Sequence, residues 1–147
     1  MTTIQAVAKA FLKFESMSPK KLQKLCYYAY GWYLVLYDKP LFLNAFEAWV
    51  HGPVDPSLHQ EYRDYGWAEI PLNQEDPPVS SEVFAFVEEV YASYGEMTAD
   101  QLEALTHSEP PWQQARNGLP VFATCTRRIS DTVIADFHRS LLDSPAR

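Results

Sequence analysis

Four histidines (51, 59, 107 and 138) and two cysteines (Cys26 and Cys125) are the side chains best suited to hold a metal or act as nucleophiles. Zinc ligands come in close pairs, on a turn or one helical turn apart, because both donors must reach the same ion. No H-x-x-x-H, C-x-x-C or H-x-x-E-H occurs, so no metal is expected. The histidines read instead as polar, partly exposed or hydrogen-bonded side chains. There is no G-x-S-x-G elbow, no G-x-x-x-x-G-K-[ST] phosphate loop and no dinucleotide G-x-G-x-x-G, and the five glycines are scattered as stops. Carboxylates are plentiful, but an acid–base pair needs environments that split two pKa values. Glu88, Glu89 and Glu103 fall on polar helix faces instead. His107 with Glu109 is the one arrangement that suggests a hydrolase, and it is too sparse to outweigh a non-enzymatic reading. No cofactor is expected.

Charge narrows the function classes. The chain has 147 residues, 12 Lys and Arg against 19 Asp and Glu, and a formal net charge of -7. Binding nucleic acid requires basic groups that displace counterions from phosphates, so a general nucleic-acid role is disfavoured. The charge is also unevenly spread: +4 over residues 1–40, -13 over 41–110 and +2 over 111–147. Lys9, Lys13, Lys20, Lys21 and Lys24 form a small basic zone near the start, with Lys20-Lys21 keeping a helix end soluble. Two cysteines outside any framework fit a reduced, cytoplasmic protein. The N-terminus lacks the pattern of a secretory signal. The longest uncharged apolar run, Leu25 to Tyr37, is shorter than the roughly 20 residues of a membrane span.

The elements that must position these residues follow from periodicity. Ile4, Val7, Ala8, Phe11 and Phe14 predict an amphipathic helix capped by Thr2 or Thr3. Ser18-Pro19 starts a second helix of about five turns, ended by Lys39-Pro40. Leu22, Leu25, Cys26, Ala29, Tyr33 and Leu36 line one side of it, and Tyr27, Tyr30, Leu34 and Tyr37 another. A helix apolar on both sides should be central, and Cys26 on its stripe is a small core hydrophobe. Phe46, Ala48 and Val50 alternate as a strand that His51-Gly52-Pro53 breaks. Its expected partner is either the Trp67–Leu72 or the Val121–Thr126 stretch. Asp55-Pro56 starts a helix that Gly66 closes. Ser80 or Ser81 caps the next, and Thr98 to Gln101 fits a capping box. Glu109-Pro110-Pro111-Trp112 enters a short helix ending at Asn117-Gly118. Ser130 caps the last, with Val133, Phe137 and Leu141 inward and Ile129 and Ile134 forming a staple.

The expected fold is therefore mainly α. It is a compact single domain over residues 1–147, a bundle of six to seven helices around a central aromatic-rich helix. A small β patch lies near residues 45–50, and the tail at 143–147 is loose. Aromatic residues make up 14% of the chain. One helix cannot turn Tyr27, Tyr28, Tyr30, Trp32, Tyr33 and Tyr37 all into one core. Tyr28 and Trp32, four apart and off the main stripe, are candidates for an exposed partner-binding patch, which would also suit a homodimer.

Three stretches, taken together and in order, resemble a known family. They are Leu22-Gln23-Lys24-Leu25 running through Tyr27 to Leu34 and on to Pro40-Leu41-Phe42; Glu47 to Val54; and Leu105-Thr106-His107-Ser108-Glu109-Pro110-Pro111-Trp112. The series is similar to the Panacea-domain family of SocA-like and GepA-like phage-associated antitoxins, from about residue 4 to 142. The resemblance implies an antitoxin that neutralises a cognate protein toxin encoded beside it by direct binding, with delivery of the toxin to a ClpXP-type protease as the alternative. It does not imply catalysis, and charge and hydropathy give no expectation of contact with nucleic acid or membrane. The matching positions include Lys24, Tyr27, Gly31, Trp32, Trp49, Gly52, Pro53, His107, Glu109, Pro111 and Trp112. Most read as architectural: Gly52 and Pro53 set a bend, Pro111 starts a helix, Trp49 and Trp112 fill core, and His107 with Glu109 orders a turn. The -13 block would then steer a basic partner.

Overall fold

The computed structural model describes residues 1–144. Its seven α-helices are α1 (Ile4–Phe11), α2 (Pro19–Tyr37), α3 (Pro56–Tyr62), α4 (Ser81–Tyr94), α5 (Ala99–His107), α6 (Pro110–Arg116) and α7 (Asp131–Leu142). Two short strands, β1 (Glu47–Trp49) and β2 (Gly52–Val54), complete the regular structure with a 3-10 turn at Arg63–Tyr65. The fold is mainly α, as the periodicity indicates.

Helix starts follow side-chain chemistry. Thr3, Ser18, Ser80, Thr98 and Ser130 each accept a hydrogen bond from a backbone N–H of the first turn, and Asp55 accepts two. These bonds satisfy donors that have no intrahelical partner. Thr98 and Gln101 form the reciprocal capping box. Asp38 and Asn117 adopt left-handed conformations that stop α2 and α6.

Helix α2 is the hub. It touches α1, α3, α4, α5, α7 and β2, and every residue from Lys21 to Gly31 is buried. The two-sided apolar pattern thus reports a helix surrounded along its first three turns. The last turn leaves this packing, and Leu36 and Tyr37 are half-exposed. On α7 the buried positions are Ile134 and His138, whereas Val133, Phe137 and Leu141 are only partly covered. The helix is rotated so that His138 sits over Gly31, where the missing side chain makes room. A Cβ there would stand 2.3 Å from the imidazole. Ile129 and Ile134, the two residues of the expected staple, are both buried in the core.

The β patch has a different pairing from either expected one. β1 pairs with β2 in an antiparallel hairpin, Trp49 opposite Gly52, with Val50-His51 as the two-residue turn. Gly52, the first residue after the turn, takes φ 107°, a conformation open to glycine, as the chain enters β2. The break in the sequence pattern is therefore a turn inside the sheet. The outer edge of β1 is covered just beyond the second expected stretch. Ala48 N–H donates to Arg127 O, and Glu47 bridges Arg128. Ile70, in the first expected stretch, bridges Met17.

Of the tail at 143–147, Asp143 and Ser144 donate backbone hydrogen bonds into the end of α7, and 145–147 lie outside the described residues.

Candidate functional site

The hairpin is braced from three sides by the motif residues. The Lys24 ammonium donates to Pro53 O at 3.1 Å. Its Cε, with Thr106 Oγ1, fills the space over Gly52, where a Cβ would stand 2.5 Å and 2.8 Å from them. The Gln23 amide exchanges two hydrogen bonds with the Asp55 backbone, each 2.9 Å, and so extends β2 with a side chain. Trp112 Nε1 donates to Trp49 O at 2.8 Å. Arg116, one helical turn on, donates to Ala48 O and also to Pro120 O, Val121 O and Ala123 O. Its guanidinium lies 4.8 Å from the Trp112 ring centroid. One buried cation thus holds β1 and the loop after α6 in a single geometry.

His107 and Glu109 do not act as a pair in the turn. The His107 ring stacks on Trp112, centroids 3.9 Å apart. Burial lowers its pKa below 6.5, partly countered by Glu103 and by a bond to the Val50 backbone. Its Nε2 is buried without a hydrogen-bond partner. The Glu109 carboxylate instead accepts from Tyr28 OH at 2.9 Å, across the fold. The turn itself is tied by Glu109 N–H to Thr106 O and by the Gln113 amide to His107 O.

Tyr28 is wholly buried, so it is not part of an exposed aromatic patch. It stacks on Tyr94 at 4.3 Å. Burial first, then Glu109, pushes its phenol pKa far above the ordinary value and keeps it a donor. Trp32 is half-buried and donates to Tyr94 OH at 2.7 Å. Both side chains were freed from the main stripe of α2 only to be covered by α4 and α7. His138 lies edge-on to Tyr27, Tyr28 and Trp32, and its Nδ1 bonds Ile134 O at 2.8 Å.

Three lysines of the basic zone are absorbed, whereas Lys9 stays exposed and Lys13 partly so. Lys21 is nearly buried and donates to Glu15 and to Gly95 O. Lys20 bridges Asp100 at 2.7 Å and Glu103 at 2.5 Å. Burial opposes the charge on Lys20, but these two carboxylates outweigh it and raise its pKa. Lys24 is fully buried with no carboxylate bridge among the described residues. Burial, and then Lys20, lower its pKa from 10.5 to about 7, against a smaller pull from Glu103.

Beside the braced hairpin lies a cavity of about 570 Å³. Leu22 and Lys24 of α2, Trp49 of β1, Leu58 and Tyr62 of α3 and Cys125 contribute to its wall, and Trp67 stands at its rim. Trp67 is 72% exposed, with Lys20 5.7 Å from its ring and His51 edge-on at 5.5 Å. Among the described residues, no group of three His, Cys, Asp or Glu side chains is placed to hold a metal ion. No described helix is long and apolar enough to cross a membrane.

The residues that pattern reasoning missed are Arg116, His138 and Gln23. Arg116 follows Trp112 by four positions, a spacing that puts both on one helix face, and this was the available signal. Nothing local marks His138 or Gln23, whose partners lie far away in the chain.

The sequence matches known proteins across the segments that build this site. The model of the family described as Antitoxin SocA-like, Panacea domain, matches residues 22–113. That span holds Lys24, the hairpin, His107, Glu109 and Trp112. The chain is 34% identical over 132 residues to Antitoxin SocA of Caulobacter vibrioides (strain NA1000 / CB15N), covering 80% of this chain and 70% of that protein. No solved structure matches the chain. The chain belongs to the SocA-like antitoxin family of Panacea-domain proteins.

Proposed function

We propose that this protein is an antitoxin that holds a cognate protein toxin inactive by direct protein–protein contact in the cytoplasm, without catalysis. The observation that carries the reading is family membership across residues 22–113, together with 34% identity to Antitoxin SocA. The geometry suits it. A hairpin fixed by Lys24, Trp112 and Arg116 is a rigid platform, and rigid surfaces lose little entropy on binding.

The test is co-expression with the product of the adjacent small open reading frame. Rescue of growth, together with a stable complex on co-purification, is expected, and its mass gives the stoichiometry. A harmless neighbour that forms no complex refutes the reading. A toxin that disappears faster in the presence of this protein, and only in cells with a ClpXP-type protease, would replace masking by delivery to that protease. Growth rescue by His107→Ala with an unchanged fold would remove the hydrolase alternative.

A further inference from the structure

The cavity next to the hairpin differs from the chain around it in charge. Residues 41–110 contribute fourteen acids and one basic residue. Yet no Asp or Glu lines the cavity, whereas Lys20, Lys24 and Arg63 do. Lys20 is already engaged by Asp100 and Glu103. Lys24 has a single described hydrogen-bond partner, Pro53 O. Arg63 is exposed and meets only Gln60 Oε1, at 3.3 Å. Arg63, without a carboxylate bridge among the described residues, therefore stands as a free cation at the mouth of the chamber, with the Lys24 ammonium buried behind its wall.

Its size falls in the range of about 300–1,000 Å³ typical of binding cavities. Its exposed wall is mostly apolar, with Leu58 and Cys125 inside, His51, His59, Thr124 and Thr126 also on the lining, and Trp67 left largely in water at the rim. A large aromatic side chain in water beside an open apolar chamber gains most when a partner covers it. The second wall, Thr124–Thr126, belongs to the loop that Arg116 fixes through three carbonyls, so the chamber is held open by internal bonds.

We propose that this cavity is the toxin-gripping site, and that it receives an apolar segment of the toxin carrying a carboxylate, the apolar side chains filling the chamber and the carboxylate facing Arg63 at its lip. The inference rests on the antitoxin reading and adds the contact surface to it. The complementarity is local and opposite in sign to the net charge of the middle block. A basic toxin steered by the acidic exterior would still need an acidic-apolar anchor at this point.

The test uses the full chain and the product of the adjacent small open reading frame, with affinity measured by calorimetry and neutralisation by growth. Thr124→Trp obstructs the chamber from an exposed position on its wall, and Arg63→Glu reverses the charge at its lip. Each should weaken the complex at least tenfold and reduce growth rescue at unchanged melting temperature. Glu89→Gln, exposed on α4, should change neither. Hydrogen exchange of the wild-type complex gives a reading that needs no variant: protection is expected at residues 58–67 and 124–126. Wild-type affinity in both cavity variants, or protection confined to other segments, overturns the site while leaving the antitoxin reading intact. Failure of the wild-type chain to bind or rescue overturns both.

Discussion

Replacing Lys24 by methionine removes a charge from the centre of the fold while keeping an unbranched side chain of similar length. In the folded protein the Lys24 pKa falls from 10.5 to about 7, because burial disfavours the ammonium and Lys20 repels it. In the unfolded chain it returns to about 10.4. Between these values the unfolded state holds a proton that the native state has released. Stability therefore rises with pH across that window, by about 1.4 kcal/mol per pH unit where the difference is complete. Below pH 7 both states are protonated and the full penalty persists. Lys24→Met lacks this dependence, so its stability relative to wild type is greatest at and below pH 7 and declines above it. With the native group half-titrated at pH 7, the decline from pH 7 to 9 amounts to about 2 kcal/mol. The lost bond to Pro53 O adds an offset that cancels in this difference. Histidines, Cys26 and the buried tyrosines are common to both proteins and cancel as well. Urea unfolding of both at pH 7, 8 and 9 measures the gap. A gap constant to within about 0.5 kcal/mol would refute the account, since it would mean that Lys24 titrates as it does in water.

Three further outcomes are expected. Gly31→Ala drives a methyl into the His138 ring and should cost about 1–3 kcal/mol despite the better helix propensity of alanine. Denaturation of the single and double variants should show less than additive loss with His138→Ala, and a more stable Gly31→Ala protein would contradict the packing. Arg116→Met removes the donor shared by Ala48, Pro120, Val121 and Ala123. It should cost more than about 3 kcal/mol and speed hydrogen exchange and proteolysis at residues 119–126, where unchanged protection would count against the bracing role. Tyr28→Phe keeps the stack on Tyr94 but removes the donor to Glu109, at a cost of about 1.5–3 kcal/mol in chemical denaturation. A change below about 0.5 kcal/mol would show that this bond is replaceable.

Local chemistry was legible and pairing was not. The capping residues Ser18, Asp55, Thr98 and Ser130 act within three residues of themselves, so their function can be read from neighbours in the chain. The alternation at Glu47–Trp49 marks a strand, but His51-Gly52-Pro53 has the pattern of an end and so points to a distant partner. Gly52 takes its positive φ at the residue just after the Val50-His51 turn, and glycine marks a break and the end of a turn equally well. Tyr28 shows the other limit. Its position on α2 placed it off the main stripe, and only the arrival of Tyr94 from α4 and of Glu109, just before α6, made that face interior.

The sequence by itself determined the helix starts, the mainly α class, the central helix and the set of motif residues that identify the family. These depend on spacing and on residue type, which are properties of short segments. Tertiary structure alone decided that Lys24 is buried beside a cavity, that Lys20 neutralises two members of the acidic block, and that Arg116 fixes the loop opposite Trp67. A net charge of -7 does not say where its acids are placed relative to an apolar chamber. That placement follows from packing between segments up to 83 residues apart, and on it depends which partner chemistry the protein can hold.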